Sequence, residues 1–162
     1  PLNYLVIVQY TRVLPSLFGR VLIPPAVANE LGHPAAPPEV RDFIKSPPEW
    51  LEIRRPQASD PSLCYLGDGE IEAISLALEL RAELLLTDDL EARQVALMRH
   101  IEVAGTLGVL ARAASKGLID LPQTIAELRK TTFRMPRGIV ERMLSEVQPN
   151  PGSSRRDVTH GQ

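Results

Sequence analysis

The chain has 162 residues, of which 44% are hydrophobic and 23% charged, with a formal net charge of −2. That is enough for one ordinary domain with a real core, and the charge excludes a polycation that coats nucleic acid wholesale. No apolar run approaches the ~20 residues that span a bilayer, and no signal-peptide pattern is present. The single cysteine, Cys64, leaves no internal disulfide, which fits a cytoplasmic protein. Its three companions of metal-binding type, His33, His100 and His160, share no ligand spacing with it, so a zinc set is not expected.

In chain order, LNYLVIVQY at 2–10 is apolar enough for a buried helix, and Pro1 suits a first helical turn. Val21 to Ile23 read as a short strand. Pro24-Pro25 then open a helix, AVANEL, with Gly32 as its stop. Residues 33–48 form a Pro-rich loop around a short helix near Glu39–Ser46, and Trp50 to Arg54 alternate as a strand does. Residues 56–66 read as loop.

Asp68 is placed to cap the next helix, which runs to about Leu80. Glu83 to Thr87 form a strand of consecutive apolar residues, the pattern of a strand covered on both faces in a parallel sheet. Leu90 to Met98 are helical and Ile101 to Val103 a strand. A helix over 106–116 stops at Gly117, Pro122 opens another to about Lys130, and Arg137 to Glu146 make the last. The tail QPNPGSSRRDVTHGQ lacks apolar content and is expected to be disordered, so the domain is 1–147 and the tail 148–162. Strands alternating with helices predict an α/β layered fold with a mainly parallel central sheet. Ligands in such sheets bind beyond the carboxyl ends of the strands.

Charge is unevenly spread. From Asp68 to Glu91 eight acids face one base, Arg81. From Arg112 to Arg142 seven bases face three acids. An acidic centre beside a basic flank suits a metal site next to a polyanion, and it equally suits two solvated helix faces.

Asp88-Asp89 directly follows the strand ELLLT, so both acids sit at the strand tip. One Asp suffices to cap the helix from Leu90. Two adjacent carboxylates repel unless they are solvated or share a cation. In the helix Gly69–Leu80, only Glu72, Ser75 and Glu79 break the apolar pattern. Their spacing gives one narrow polar stripe, readable as the exposed face of a mostly buried helix. Glu72 also lies near the helix end closest to the strand tips. Glu70 is in the first turn, where the helix dipole alone favours an acid. Glu30 closes AVANEL and reads as an ordinary exposed helix residue. Arg93 could pair with Asp89 along the helix or reach a phosphate. Gly105-Thr106-Leu107-Gly108 lacks the Lys of a phosphate loop and reads as a tight turn into a helix.

Five segments, PLNYLV, VLIPPAVANEL, SPPEWLEI, GDGEIEAISLALEL with AELLLTDD, and GTLGVLARAASKGLI, stand in an order and spacing that resemble the PIN-domain ribonucleases. The likeness is to a small subfamily similar to VapC toxins and covers about residues 1–146. It implies a three-layer α/β/α fold and a cluster of acids holding Mg²⁺ or Mn²⁺ for RNA cleavage. Carried onto this sequence, it implies that Glu30, Glu72 and Asp89 are catalytic, with Asp88 beside them as a further metal ligand. The family's first strand, central in its sheet and ending in an acid, would precede Pro1-Leu2, so a chain lacking that strand and that carboxylate is expected. The expected partners are RNA, through Arg93, Arg134 and Arg137, an antitoxin protein and a second copy of the chain, with no membrane. A different class of function stays open: a catalytically incomplete PIN-like scaffold that binds RNA or a partner protein. A receiver domain also pairs acids on a parallel sheet, but its pair follows the first strand.

Overall fold

The computed structural model describes residues 1–147 of the chain. The elements in order are α1 (Leu2–Ile7), α2 (Val13–Phe18), β1 (Val21–Ile23), α3 (Pro25–Gly32), α4 (Pro38–Lys45), β2 (Leu51–Ile53), a 3₁₀ turn (Pro61–Leu63), α5 (Asp68–Glu79), β3 (Leu84–Leu86), α6 (Leu90–Met98), β4 (Glu102–Ala104), α7 (Thr106–Ser115), α8 (Leu121–Leu128) and α9 (Arg137–Val147). The expected tail, 148–162, lies outside the described residues.

The α/β class follows the sequence pattern, with helices on both faces of the strands. In β3, Leu84 and Leu86 pack into a core built from α1, α2, α7, α8 and α9, with Leu110, Leu121 and Ile125 at its centre. Leu85, pointing the other way, joins Leu63, Ile74 and Val95 under α5 and α6. A strand whose alternate side chains enter two different cores must be consecutively apolar. A third cluster joins Val6, Ile23, Val40 and Leu51 between α1, α3, α4 and the first strand pair.

The strands do not form one sheet. Among the described residues, β1 pairs in parallel with β2 (Val21 with Leu51, Ile23 with Ile53), and β3 pairs in parallel with β4 (Leu84 with Glu102, Leu86 with Ala104). The expected single central sheet is therefore two separate pairs. Sequence pattern marks a strand as apolar but carries no information on which strands bond.

A cleft of about 700 Å³ separates the pairs, lined by Val21, Leu22 and Ile23 on one side and Leu84, Leu85 and Leu86 on the other. The ladders show which backbone groups face it. Val21 N–H donates to Trp50 O and Arg54 N–H to Ile23 O, while Thr87 N–H donates to Ala104 O. Successive residues of a parallel strand bond on opposite sides. The N–H and C=O of Leu22, Leu84 and Leu86 therefore point into the cleft.

Two details correct the sequence-based expectations. The helix α2 was not anticipated: Pro15 falls in its first turn, where the missing N–H costs no bond, and Gly19 at φ 69° ends it. Asp68 is not the cap of α5. Gly67 occupies that position without a side-chain bond, and Asp68 is the first residue of the helix.

Three helices end on a non-glycine residue in the left-handed region: Gln9 (φ 61°), Arg81 (φ 51°) and His100 (φ 59°). Each carries the paired bonds of a Schellman motif. In the case of His100, His100 N–H donates to Leu97 O and Ile101 N–H to Ala96 O. The expected stop at Gly117 uses the same geometry, with Leu118 N–H donating to Ala113 O.

Amide exchange followed by NMR checks the divided sheet. The amides of Leu22, Leu84 and Leu86 should exchange faster than those of Val21, Leu85 and Thr87, which point into the ladders. Equal protection of all six would mean that the cleft-facing groups have partners.

Candidate acidic site

The carboxylates of Glu30, Glu72, Asp88 and Asp89 each lie at the start of a helix. The first four N–H groups of a helix have no partner within it, and they favour negative charge. Pro24, at the cap position of α3, offers no side-chain acceptor. Glu72 supplies it from α5: Ala26 N–H donates to Glu72 Oε2 at 2.8 Å. The reverse contact is made by Glu30, from the last turn of α3, whose carboxylate lies against the backbone of Gly69 in the first turn of α5. A Cβ at position 69 would lie 2.5 Å from Glu30 Oε1. Glycine is what lets the two helices exchange carboxylates at such close range.

Asp89 caps α6 directly, with Ala92 N–H donating to Asp89 Oδ1 at 2.8 Å. Asp88 reaches sideways to the start of α7, where Thr106 N–H donates to its Oδ1 at 2.7 Å and the Thr106 hydroxyl to its Oδ2 at 2.6 Å. Arg93 makes no ion pair with Asp89 among the described residues. Its guanidinium lies beside Gly105. The segment 105–108 is the turn into α7 that the sequence indicated.

The polar stripe of α5 is only partly a solvent face: Glu79 is exposed, Glu72 half-buried and Ser75 buried. Ser75 is buried and its hydroxyl accepts from Asp60 N–H, while Glu79 accepts from Gln57 N–H. With Glu72, the stripe binds three backbone N–H groups, of Ala26, Gln57 and Asp60, to one helix. Asp60 is fixed in turn by Ser62 and by Arg99, at 2.7 Å. The Ser62 hydrogen bonds first, then the Arg99 bond, hold its carboxyl down at about 2.

Glu30, Glu70, Asp88 and Asp89 border the cleft between the strand pairs, whereas Glu72 is committed to the start of α3. The Glu30 carboxyl is raised above its ordinary value. Burial is the main cause, with repulsion from Glu70 and then Asp68 adding to it, against a lowering by the Gly69 N–H. Among the described residues, no three Asp, Glu, His or Cys side chains come close enough to hold one metal ion. The donor chemistry nevertheless suits a hard cation. Glu72 and Asp89 each use one oxygen in their capping bonds, which leaves the other oxygen of each carboxylate outside those bonds. Mg²⁺ is commonly held by one or two carboxylates with waters completing the octahedron. Of the basic residues proposed from sequence, Arg134 is exposed in the link between α8 and α9, and Arg137 opens α9. Thr106 was missed by sequence reasoning. The available signal was a glycine at the cap position ahead of it, which offers α7 no side chain of its own.

The family profile that matches this chain is described as the PIN domain and covers residues 1–149. No curated protein and no solved structure matches it.

Two substitutions test the electrostatics. Glu72→Ala should cost about 0.5–2 kcal/mol, as loss of a helix cap does, and Glu72→Gln less, measured by urea unfolding. A negligible cost for Glu72→Ala would remove the cap assignment. For Glu30, a raised folded pKa means that its contribution is fully present at low pH and is lost as pH rises through the folded value. Glu30→Gln should therefore raise the melting temperature at pH 7 without divalent ions, and this gain should vanish towards pH 4. A gain independent of pH would point to packing instead.

Proposed function

Because the chain belongs to the PIN-domain family, we propose that it is a metal-dependent ribonuclease that hydrolyses RNA phosphodiesters at the acidic cleft. The family suggests nuclease-type function, and PIN domains generally use divalent metal ions. The observation that carries the reading is that Glu30, Asp88 and Asp89 all line one cleft, with the two aspartates just past the carboxyl end of β3. Open α/β sheets place their ligands there.

In this reading Glu30, Glu72, Asp88 and Asp89 form the acidic set, and Glu30, Glu72 and Asp89 act on the reaction. A bound Mg²⁺ or Mn²⁺ would supply an activated water and offset charge on the in-line phosphoryl transition state. The residues of the chain do the rest. Asp89 is held by its capping bond in one orientation at the strand tip. Glu30, with its raised carboxyl, accepts a proton more readily than an ordinary glutamate. Arg93, on the first turns of α6, is placed to take a phosphate, and Arg134 and Arg137 would extend the path of the RNA backbone. The substrate has to be single-stranded or locally opened. The proposal extends to the toxin member of a toxin–antitoxin pair, acting as a homodimer in the cytoplasm.

A second reading has its own support. No three acids converge among the described residues, which favours a PIN-like scaffold that binds RNA or a protein without cutting.

Asp89→Asn separates the two. Asparagine keeps the oxygen that caps α6, so the fold should persist, while the charge is lost. Mn²⁺-dependent cleavage of single-stranded RNA should be abolished with the melting temperature little changed. Undiminished cleavage would refute the role of Asp89, and no cleavage by either protein would favour the scaffold.

A further inference from the structure

We propose that the cleft between the two strand pairs is a receptor for one β-strand of another polypeptide. The strand is a consecutively apolar segment that lies parallel to β1 and β3, bonds to both, and is followed by a basic residue. Its binding needs neither RNA nor a metal, so it stands apart from the nuclease reading.

The walls of the cleft are backbone. The N–H and C=O of Leu22 on one side, and of Leu84 and Leu86 on the other, point into it and away from the ladders that hold β2 and β4. Backbone groups enclosed between two strand pairs need partners, and an extended chain supplies them along both of its edges at once. The two walls run the same way. Helix α5 ends beside the amino end of β3, with Ala82 N–H donating to Ala77 O in the link between them. Its first turns meet α3, which follows the carboxyl end of β1. A strand parallel to both completes a parallel sheet. Once it is bonded to both walls neither has a free edge, so the cleft takes a single strand.

The faces of the cleft are apolar. Leu14 and Leu17 of α2 line it on the side to which Leu84 and Leu86 point, and Ile74 and Ala77 of α5 on the side of Leu85. Successive side chains of an inserted strand enter these two faces in turn, so each of them has to be apolar. The carboxyl end of the cleft is different. Glu30, Glu70, Asp88 and Asp89 border it, and among the described residues no Lys, Arg or His side chain forms an ion pair with any of the four. A parallel strand brings the residue after its apolar run to this end. A Lys or Arg there meets opposite charge, and an acid meets like charge.

The test uses the full chain and a fluorescent synthetic peptide, Val-Ile-Val-Val-Lys-Lys with both ends blocked, read by fluorescence polarisation and by amide exchange of the protein. Binding should saturate and should protect the amides of Leu22, Leu84 and Leu86 together. Methylating one backbone nitrogen within the apolar run removes a hydrogen bond and should weaken binding about tenfold. Glutamates in place of the lysines should also weaken it, and the two peptides should converge as salt is raised. The base-first peptide, Lys-Lys-Val-Val-Ile-Val, carries its charge to the other end and should bind as weakly as the glutamate peptide. In the protein, Leu84→Pro removes a cleft-facing N–H and no ladder bond, so it should weaken peptide binding; if it fails to fold, the methylated peptide makes the same comparison. No saturable binding, equal binding by the methylated or base-first peptide, or binding that leaves the three amides unprotected overturns the proposal. Protection of those amides without peptide overturns it too: with dimerisation the occupant is a second copy, and in a monomer the two pairs have closed on each other.

Discussion

Unpaired N–H groups at helix starts are the constraint around which this molecule is arranged. Helices α3, α5 and α7 begin on Pro24, Gly67 and Gly105, none of which gives a side-chain capping bond. Glu72 and Asp88 bond to two of these starts from other elements, and Glu30 lies against the third. Helix α6 is capped by its own Asp89. A side-chain cap lost to alanine costs on the order of 1 kcal/mol, a sizeable part of the 5–15 kcal/mol that stabilises a domain. The acids are therefore fold-determining before they are anything else.

The same arrangement explains how like charges gather without a partner close by. Each carboxylate is offset locally by a helix dipole, so several can border one cleft. Glu30 keeps a raised carboxyl, through desolvation first and then through repulsion from Glu70 and Asp68. In the nuclease reading, a cation entering the cleft would meet acids already oriented, which would lower the ordering it must impose. Capping and cation binding are then compatible uses of different oxygens of the same group.

Much of this was legible in the sequence. The run ELLLT marked a doubly covered strand, the stops at Gly32 and Gly117 were close to the observed helix ends, and the five ordered segments pointed to the PIN domain, whose family profile covers residues 1–149. That one of the two aspartates caps the helix from Leu90 was legible, and Asp89 is the one that does. What failed has physical causes. The stripe of Glu72, Ser75 and Glu79 read as one exposed face, which holds for Glu79 but not for the buried Ser75, because periodicity reports polarity, and a polar side chain bonded to an arriving backbone has the same signature as a hydrated one. Helix ends at Gln9, Arg81 and His100 carry no glycine, so the left-handed turn is imposed by packing on residues that do not advertise it. The division of the sheet could not be read at all, since strand pairing is a long-range property.

The open cleft has a consequence for how this protein meets its neighbours in concentrated solution. Unpaired strand edges are templates for aggregation, and natural proteins blunt them by shortness, charge or cover. Here the edges with leucine at every cleft-facing position, Leu22, Leu84 and Leu86, look towards each other across a narrow gap. The strands on the far sides, β2 and β4, are three residues long and carry Glu52, paired with Arg20, and Glu102, near Arg112. The edges most able to nucleate a fibril are thus turned inward, and the far-side strands are short and charged. Growth of an intermolecular sheet would first require the two halves of the molecule to part.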